Sequence, residues 1–133
     1  MGDTGFFIDF IHRARQNHPA AVAKVLDLEG RNVGITMRAI TRFELASGAE
    51  QYVDPPRGRR AVRRLLESVP THPLREDAVH HRGTLQGTLA AKGTPIGALD
   101  SLIAATALEV GGPLLTHDVQ EFSRIPGLLL EAY

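Results

Sequence analysis

The sequence predicts an α/β sandwich in which a short, mainly parallel sheet lies between helical layers. Three observations carry that prediction. Strand candidates alternate with helical stretches along the chain, the order from which crossover helices build a parallel sheet. The strand candidates are short and apolar on both faces, as strands covered by helices on both sides are. The chain has 133 residues, 43% of them hydrophobic, which fits one domain over residues 1–133 with a core of its own.

The elements follow in order. "TGFFIDFIHRAR", residues 4–15, has helical spacing, with Phe6, Phe7, Phe10 and Ile11 on one apolar face. In "NHPAAVAKVLDLEG", Pro19 suits a first helical turn, Val22, Val25, Leu26 and Leu28 make a stripe, and Gly30 stops it. "NVGIT", residues 32–36, reads as a short strand. "RAITRFELASGAE" returns to helical spacing through Ile40, Phe43 and Leu45, with Gly48 as a possible break. Pro55 and Pro56 make "VDPPRGRR" a loop, "AVRRLLESV" a short helix beginning at most a residue or two earlier, and "THPL" a turn. "EDAVHHRGTLQGTLAAKG" is a weak helix ending at Gly93. "PIGALDSLIAATALEVG" is a helix closed by Gly111 and Gly112; "PLLTHD" is a strand ending near Thr116, and "GLLLEAY" a last short strand.

Composition removes several function classes. Fifteen basic and fifteen acidic residues balance, so any pull toward nucleic acid or membrane must be local. The absence of cysteine excludes disulfides and thiolate metal sites. No apolar run of about 18 residues and no signal peptide is present, so a cytoplasmic protein without a membrane segment is expected. The six histidines show no ligand spacing; His80 and His81 read as surface, and His117 stands beside Asp118 where it can reach a phosphate.

Acids recur just after strand candidates or on apolar helices. Asp3 opens the chain in "MGDTG", Glu44 sits in "TRFELASG", Asp100 in "ALDSLIAA", and Asp118 and Glu121 in "THDVQEF". An acid on a helix is usually a solvated face. Asp100 departs most from that rule, because Leu99, Leu102, Ile103 and Ala104 surround it, and a lone buried charge is costly. Ligands of parallel sheets sit beyond the carboxyl ends of the strands, where these acids can converge. Carboxylate oxygens suit hard divalent cations such as Mg²⁺ or Mn²⁺.

The stretches "DTGFFIDFI", "AITRFELASG" and "GTPIGALDSLIAATALEVGGPLLTHDVQEFSRIPGL" together resemble the PIN-domain ribonucleases, most of all the VapC toxins of bacterial and archaeal toxin–antitoxin pairs. The specific part is residues 95–127, a pattern "IG..D.LIAATAL..G..L.T.D...F.R.PGL". The resemblance implies a PIN-like three-layer sandwich and a Mg²⁺- or Mn²⁺-dependent endoribonuclease leaving 5′-phosphate and 3′-hydroxyl ends. It also implies a homodimer, and inhibition by a cognate antitoxin inserted into the active-site groove. By the same resemblance Asp3, Glu44 and Asp100 match the family's metal-binding acids. The fourth acid is open between Asp118 and Glu121, with Asp118 ahead; Thr116 would orient the cluster, and Thr4 fills the small polar position beside Asp3.

The chain departs from the pattern twice. Only Met1 and Gly2 precede Asp3, where the family has four or five apolar residues of its central strand; either the start lies upstream or the strand is short. Gly5 also replaces the usual Asn or Ser, removing a polar group from the pocket. Arg57, Arg59, Arg60, Arg63 and Arg64 form a basic patch suited to RNA phosphates or an acidic antitoxin segment. With Phe6, Phe7 and Phe10 it is expected to contribute to a dimer or antitoxin surface. Two rivals remain: a PIN-like RNA- or protein-binding module without chemistry, and a phosphoryl-accepting receiver. A receiver needs a lysine at a strand end, and Lys24 and Lys92 are on a helix and beside a turn.

Overall fold

The structure is a computed structural model that describes residues 1–133. It is an α/β sandwich whose sheet is parallel throughout. In chain order the elements are α1 (Thr4–Ile11), α2 (His18–Gly30), β1 (Met37–Arg38), α3 (Ala39–Glu50), α4 (Pro55–Ser68) and β2 (Thr71–His72). They continue as α5 (Glu76–Ala91), α6 (Ala98–Val110), β3 (Leu114–Leu115), α7 (Val119–Phe122) and β4 (Leu130–Glu131). β1 pairs with β2, Met37 opposite Thr71, and β3 pairs with β4, Leu114 opposite Leu130.

Residues 1–3 join the two ladders. Gly2 N–H donates to the Thr36 carbonyl at 2.9 Å, Asp3 N–H to the Leu115 carbonyl at 3.0 Å, and Leu115 N–H to the Met1 carbonyl at 2.7 Å. The resulting order is β2, β1, residues 1–3, β3, β4. The short central strand bonds on both sides, and it delivers Asp3 to its carboxyl end. A side chain at Gly2 would meet the Phe6 and Phe7 rings within 2.9 Å, so the strand passes over those rings only as glycine.

Two apolar clusters lie against opposite sheet faces. Phe6, Phe7, Leu28, Met37, Leu45, Val62, Leu65 and Leu115 pack on one, drawing in α1 to α4. Leu89, Ile96, Ile103, Ala104, Leu114, Phe122 and Ile125 pack on the other, with α5 to α7. Neighbouring residues of a strand point to opposite faces, and Leu114 and Leu115 divide between the clusters accordingly.

Several sequence expectations are corrected. α1 ends at Ile11, not Arg15, because His12 leaves helical geometry. The strand placed at 32–36 appears at Met37–Arg38. Residues 31–33 instead close α2, where Val33 N–H donates to the Leu28 carbonyl at 2.8 Å. α3 runs through Gly48, held by buried Leu45 and Ala49. Pro55 and Pro56 do not make a loop: they occupy the first turn of α4, where a missing N–H costs nothing, and the Asp54 carboxylate caps them through Arg57 N–H at 3.1 Å. "THPL" holds β2 rather than a plain turn. Leu26 and Phe43, placed on apolar stripes, are over 60% exposed. Phe6 and Phe7, expected at a partner surface, are fully buried, because they face the apolar cluster shared with α2, α3 and α4.

Candidate active site

The carboxyl ends of the central strands meet the N-termini of α1, α6 and α7, and acids collect there. Asp3 ends the central strand and caps α1: its Oδ1 accepts the Phe6 N–H at 2.6 Å, which holds a buried carboxylate in one orientation. Thr4, next in sequence, donates its hydroxyl to Glu44 Oε2 on α3 and lies 3.4 Å from the Thr41 hydroxyl. Asp100 stands half-buried in the first turn of α6, its Oδ2 over Gly97, where a Cβ would come within 2.8 Å. Thr116 follows β3, fully buried, and its hydroxyl accepts the Asp118 N–H at 3.0 Å. Asp118 in turn caps α7 through Glu121 N–H at 3.1 Å.

Electrostatics link four of these acids, with Asp100 common to each link. Burial is the main cause that raises the Asp3 carboxyl above its ordinary value, and Asp100 adds to it; the Thr116 hydroxyl, the Phe6 amide and His117 oppose. Burial also raises Glu44, with the Thr4 hydroxyl opposing and Asp100 adding. Asp100 is raised by burial and then by Asp118. Asp100 is thus near enough to Asp3, Glu44 and Asp118 to repel each of them. Glu121, the other candidate for the fourth acid, pairs its carboxylate with the Arg124 guanidinium three residues on.

No three Asp, Glu, His or Cys side chains are gathered closely enough to enclose a metal ion between them. The donor set still fits Mg²⁺ or Mn²⁺. All donors are hard oxygens, and Mg²⁺ usually retains several waters and takes one or two carboxylates rather than an all-protein cage.

A cleft of about 1040 Å³ opens between the end of α1 and α4, lined by Arg13, Arg57, Arg60 and Arg64 with His12 and Tyr52. The arginine patch divides by helical period: Arg57, Arg60 and Arg64 face this cleft, while Arg59 pairs with Glu50 at 2.7 Å on another side. Tyr52 hydroxyl and His12 Nδ1 are bonded at 2.7 Å. A small adjoining hollow, sharing Ile11, His12 and Tyr52 with the cleft, reaches Glu44. His80 and His81 are exposed, as expected.

Sequence reasoning missed Thr41, Asp9 and Tyr133. Asp9 is 0% exposed and accepts hydrogen bonds from Arg15 Nε at 2.7 Å, Tyr133 hydroxyl at 3.0 Å and Asn17 Nδ2 at 3.2 Å. Its signal was present: an acid between Ile8 and Phe10 on an apolar helix, the same cue that singled out Asp100. Tyr133, at the far end of the chain, carried none.

A family model described as the PIN domain matches residues 1–128. The chain is 32% identical over 116 residues to the tRNA(fMet)-specific endonuclease VapC of Salmonella typhimurium, covering 87% of this chain and 86% of that protein. It is 34% identical over 113 residues to Ribonuclease VapC1 of Haemophilus influenzae, covering 85% and 84%. Among solved structures it is similar to VapBC2 from Rickettsia felis bound to a DNA fragment from its promoter, with TM-score 0.86, 26% identity, and coverage of 100% of this chain and 97% of that one.

Proposed function

Because this chain belongs to the PIN domain family, we propose that it is the toxin of a toxin–antitoxin pair, an endoribonuclease that hydrolyses RNA phosphodiester bonds at a carboxylate-held Mg²⁺ or Mn²⁺ site. The observation that carries this reading is the convergence of Asp3, Glu44, Asp100 and Asp118 on one sheet edge, each electrostatically tied to Asp100. The names of its relatives, VapC endonuclease and ribonuclease, support it.

Asp3, Glu44 and Asp100 would hold the ion, with Asp118 or Glu121 as the fourth acid; Glu121 pairs with Arg124 in this structure. When bound, a divalent ion supplies a positive charge that lowers the pKa of a water and stabilises developing charge on a phosphoryl oxygen. The protein's residues do the rest. Phe6 N–H and Thr116 fix Asp3, and the Thr4 hydroxyl fixes Glu44. Thr116 also fixes the turn that presents Asp118. The Arg13, Arg57, Arg60 and Arg64 cleft grips phosphates of the RNA strand leading to Glu44. The antitoxin partner would cover this groove, and the active species would be a homodimer.

The test is cleavage of single-stranded RNA by the purified chain with Mn²⁺, repeated with EDTA and with Asp100→Asn. Cleavage with Mn²⁺ alone, lost in both other arms, is the expected result. A folded protein that binds RNA but leaves it intact with Mn²⁺ would instead be a PIN-like binding module without chemistry.

A further inference from the structure

The acids do not account for the group that stands beside them, His117. Its ring lies over Gly5, where a Cβ would come within 3.1 Å of Cε1 and 3.4 Å of Asp3 Oδ1. A side chain at position 5 would crowd the imidazole, which would have to give by a few tenths of an ångström, so glycine there leaves the ring its place. Behind the ring is a buried support. His117 Nδ1 is 2.9 Å from the Tyr133 hydroxyl, which donates to Asp9 Oδ2 at 3.0 Å. The Tyr133 ring is packed edge-on against Phe6, with centroids 5.0 Å apart, and against His117 at 5.8 Å.

The hydrogen-bond directions follow from the donor inventory. A carboxylate only accepts, and burial of Asp9, which by itself would raise its pKa, is outweighed by the bonds from Arg15, Tyr133 and Asn17. The single phenol proton therefore points at Asp9. Tyr133 oxygen is left to accept, so His117 Nδ1 carries the hydrogen between them. The other ring nitrogen, Nε2, has no partner within the protein, and the side chain is 42% exposed. A neutral imidazole with its hydrogen on Nδ1 offers Nε2 as an acceptor. A ribose 2′-hydroxyl is the donor that RNA supplies and DNA lacks.

We propose that His117 is a substrate-contacting residue whose Nε2 accepts a hydrogen bond from a ribose 2′-hydroxyl next to the cleaved bond, and that Asp9 and Tyr133 are positioning residues holding its ring over Gly5. This rests on the endoribonuclease reading above.

The experiment uses the full chain with Mn²⁺ and a short single-stranded RNA cleaved at one mapped bond, with copies carrying one 2′-deoxy nucleotide at each position around that bond. His117→Ala is expected to melt as wild type does and to lose about tenfold in kcat/KM, the worth of one hydrogen bond to substrate. One 2′-deoxy position should cost wild type a similar factor and cost His117→Ala nothing more. Tyr133→Phe keeps the ring packing and removes the hydroxyl. It should lower kcat/KM severalfold in wild type and have no effect in His117→Ala, a coupling that a general structural role would not produce. Wild-type protein inert toward the RNA overturns both readings. Active wild type with an unchanged His117→Ala overturns this one alone, as do 2′-deoxy penalties equal in the two proteins at every position. A Tyr133→Phe loss of the same size in both backgrounds removes the positioning role.

Discussion

Asp100 carries a carboxylate that accepts no hydrogen bond from the protein, loses solvent, and faces Asp118. Folding therefore favours its protonated form. Its destabilising effect is absent below the unfolded value near 3.9, grows as pH rises from there, and is complete above the raised folded value. Asp100→Asn should accordingly melt no lower than wild type in EDTA at pH 7, and higher if repulsion dominates, with the advantage gone at about pH 3. It should also abolish RNA cleavage, and Mn²⁺ should raise the wild-type Tm more than the variant's. The exposed control Glu67→Gln should change none of these. A Tm loss for Asp100→Asn like that of a broken buried ion pair would make Asp100 structural. Asp9 has the opposite sign. Its folded value is depressed, so its contribution is present above the unfolded value and lost as pH falls through the folded one. Thermal melts of Asp9→Asn should show a cost of about 2 kcal/mol at pH 7 that shrinks in acid.

At the scale of the element, α4 shows how one helix serves two purposes. Val62 and Leu65 bury its inner side, while Arg57, Arg60 and Arg64 line the cleft. Removing the Asp54 cap with Asp54→Ala should cost about 1 kcal/mol in denaturant unfolding without touching the acids. Replacing Arg60 and Arg64 together by Ala should raise KM for RNA. It should also flatten the slope of log affinity against log salt by about 1, as expected for the loss of one or two phosphate contacts. An unchanged salt slope would take the RNA strand off this face and leave the arginines to the antitoxin.

The whole molecule leaves Leu26, Phe43, Val53 and Leu129 exposed, none of which the core uses, and carries Arg13, Arg57, Arg60 and Arg64 on the groove side. No helix is long and apolar enough to cross a membrane. Light scattering on the purified chain is expected to show a species larger than a monomer. A clean monomer that also fails to bind the product of a neighbouring antitoxin reading frame would overturn the partner assignment. Phe6 and Phe7 take no part in that surface, since they are packed among α2, α3 and α4.

What the sequence determined by itself is local. Helical period and caps placed α2, α3, α5 and α6 to within a few residues, and the run around Asp100 marked both the family and the charge on an apolar helix. Acids at strand ends were legible for the same reason: each is read from its immediate neighbours. The tertiary structure decided the rest. Strands of two residues carry no alternating pattern, and parallel pairing joins segments far apart in sequence, so β2, the position of β1 and the central role of residues 1–3 emerged only from the assembled sheet. Contacts between remote side chains likewise have no local trace. Packing against α2, α3 and α4 makes Phe6 and Phe7 core. Asp9 meets Tyr133 across 124 residues, a contact that only the closed fold creates.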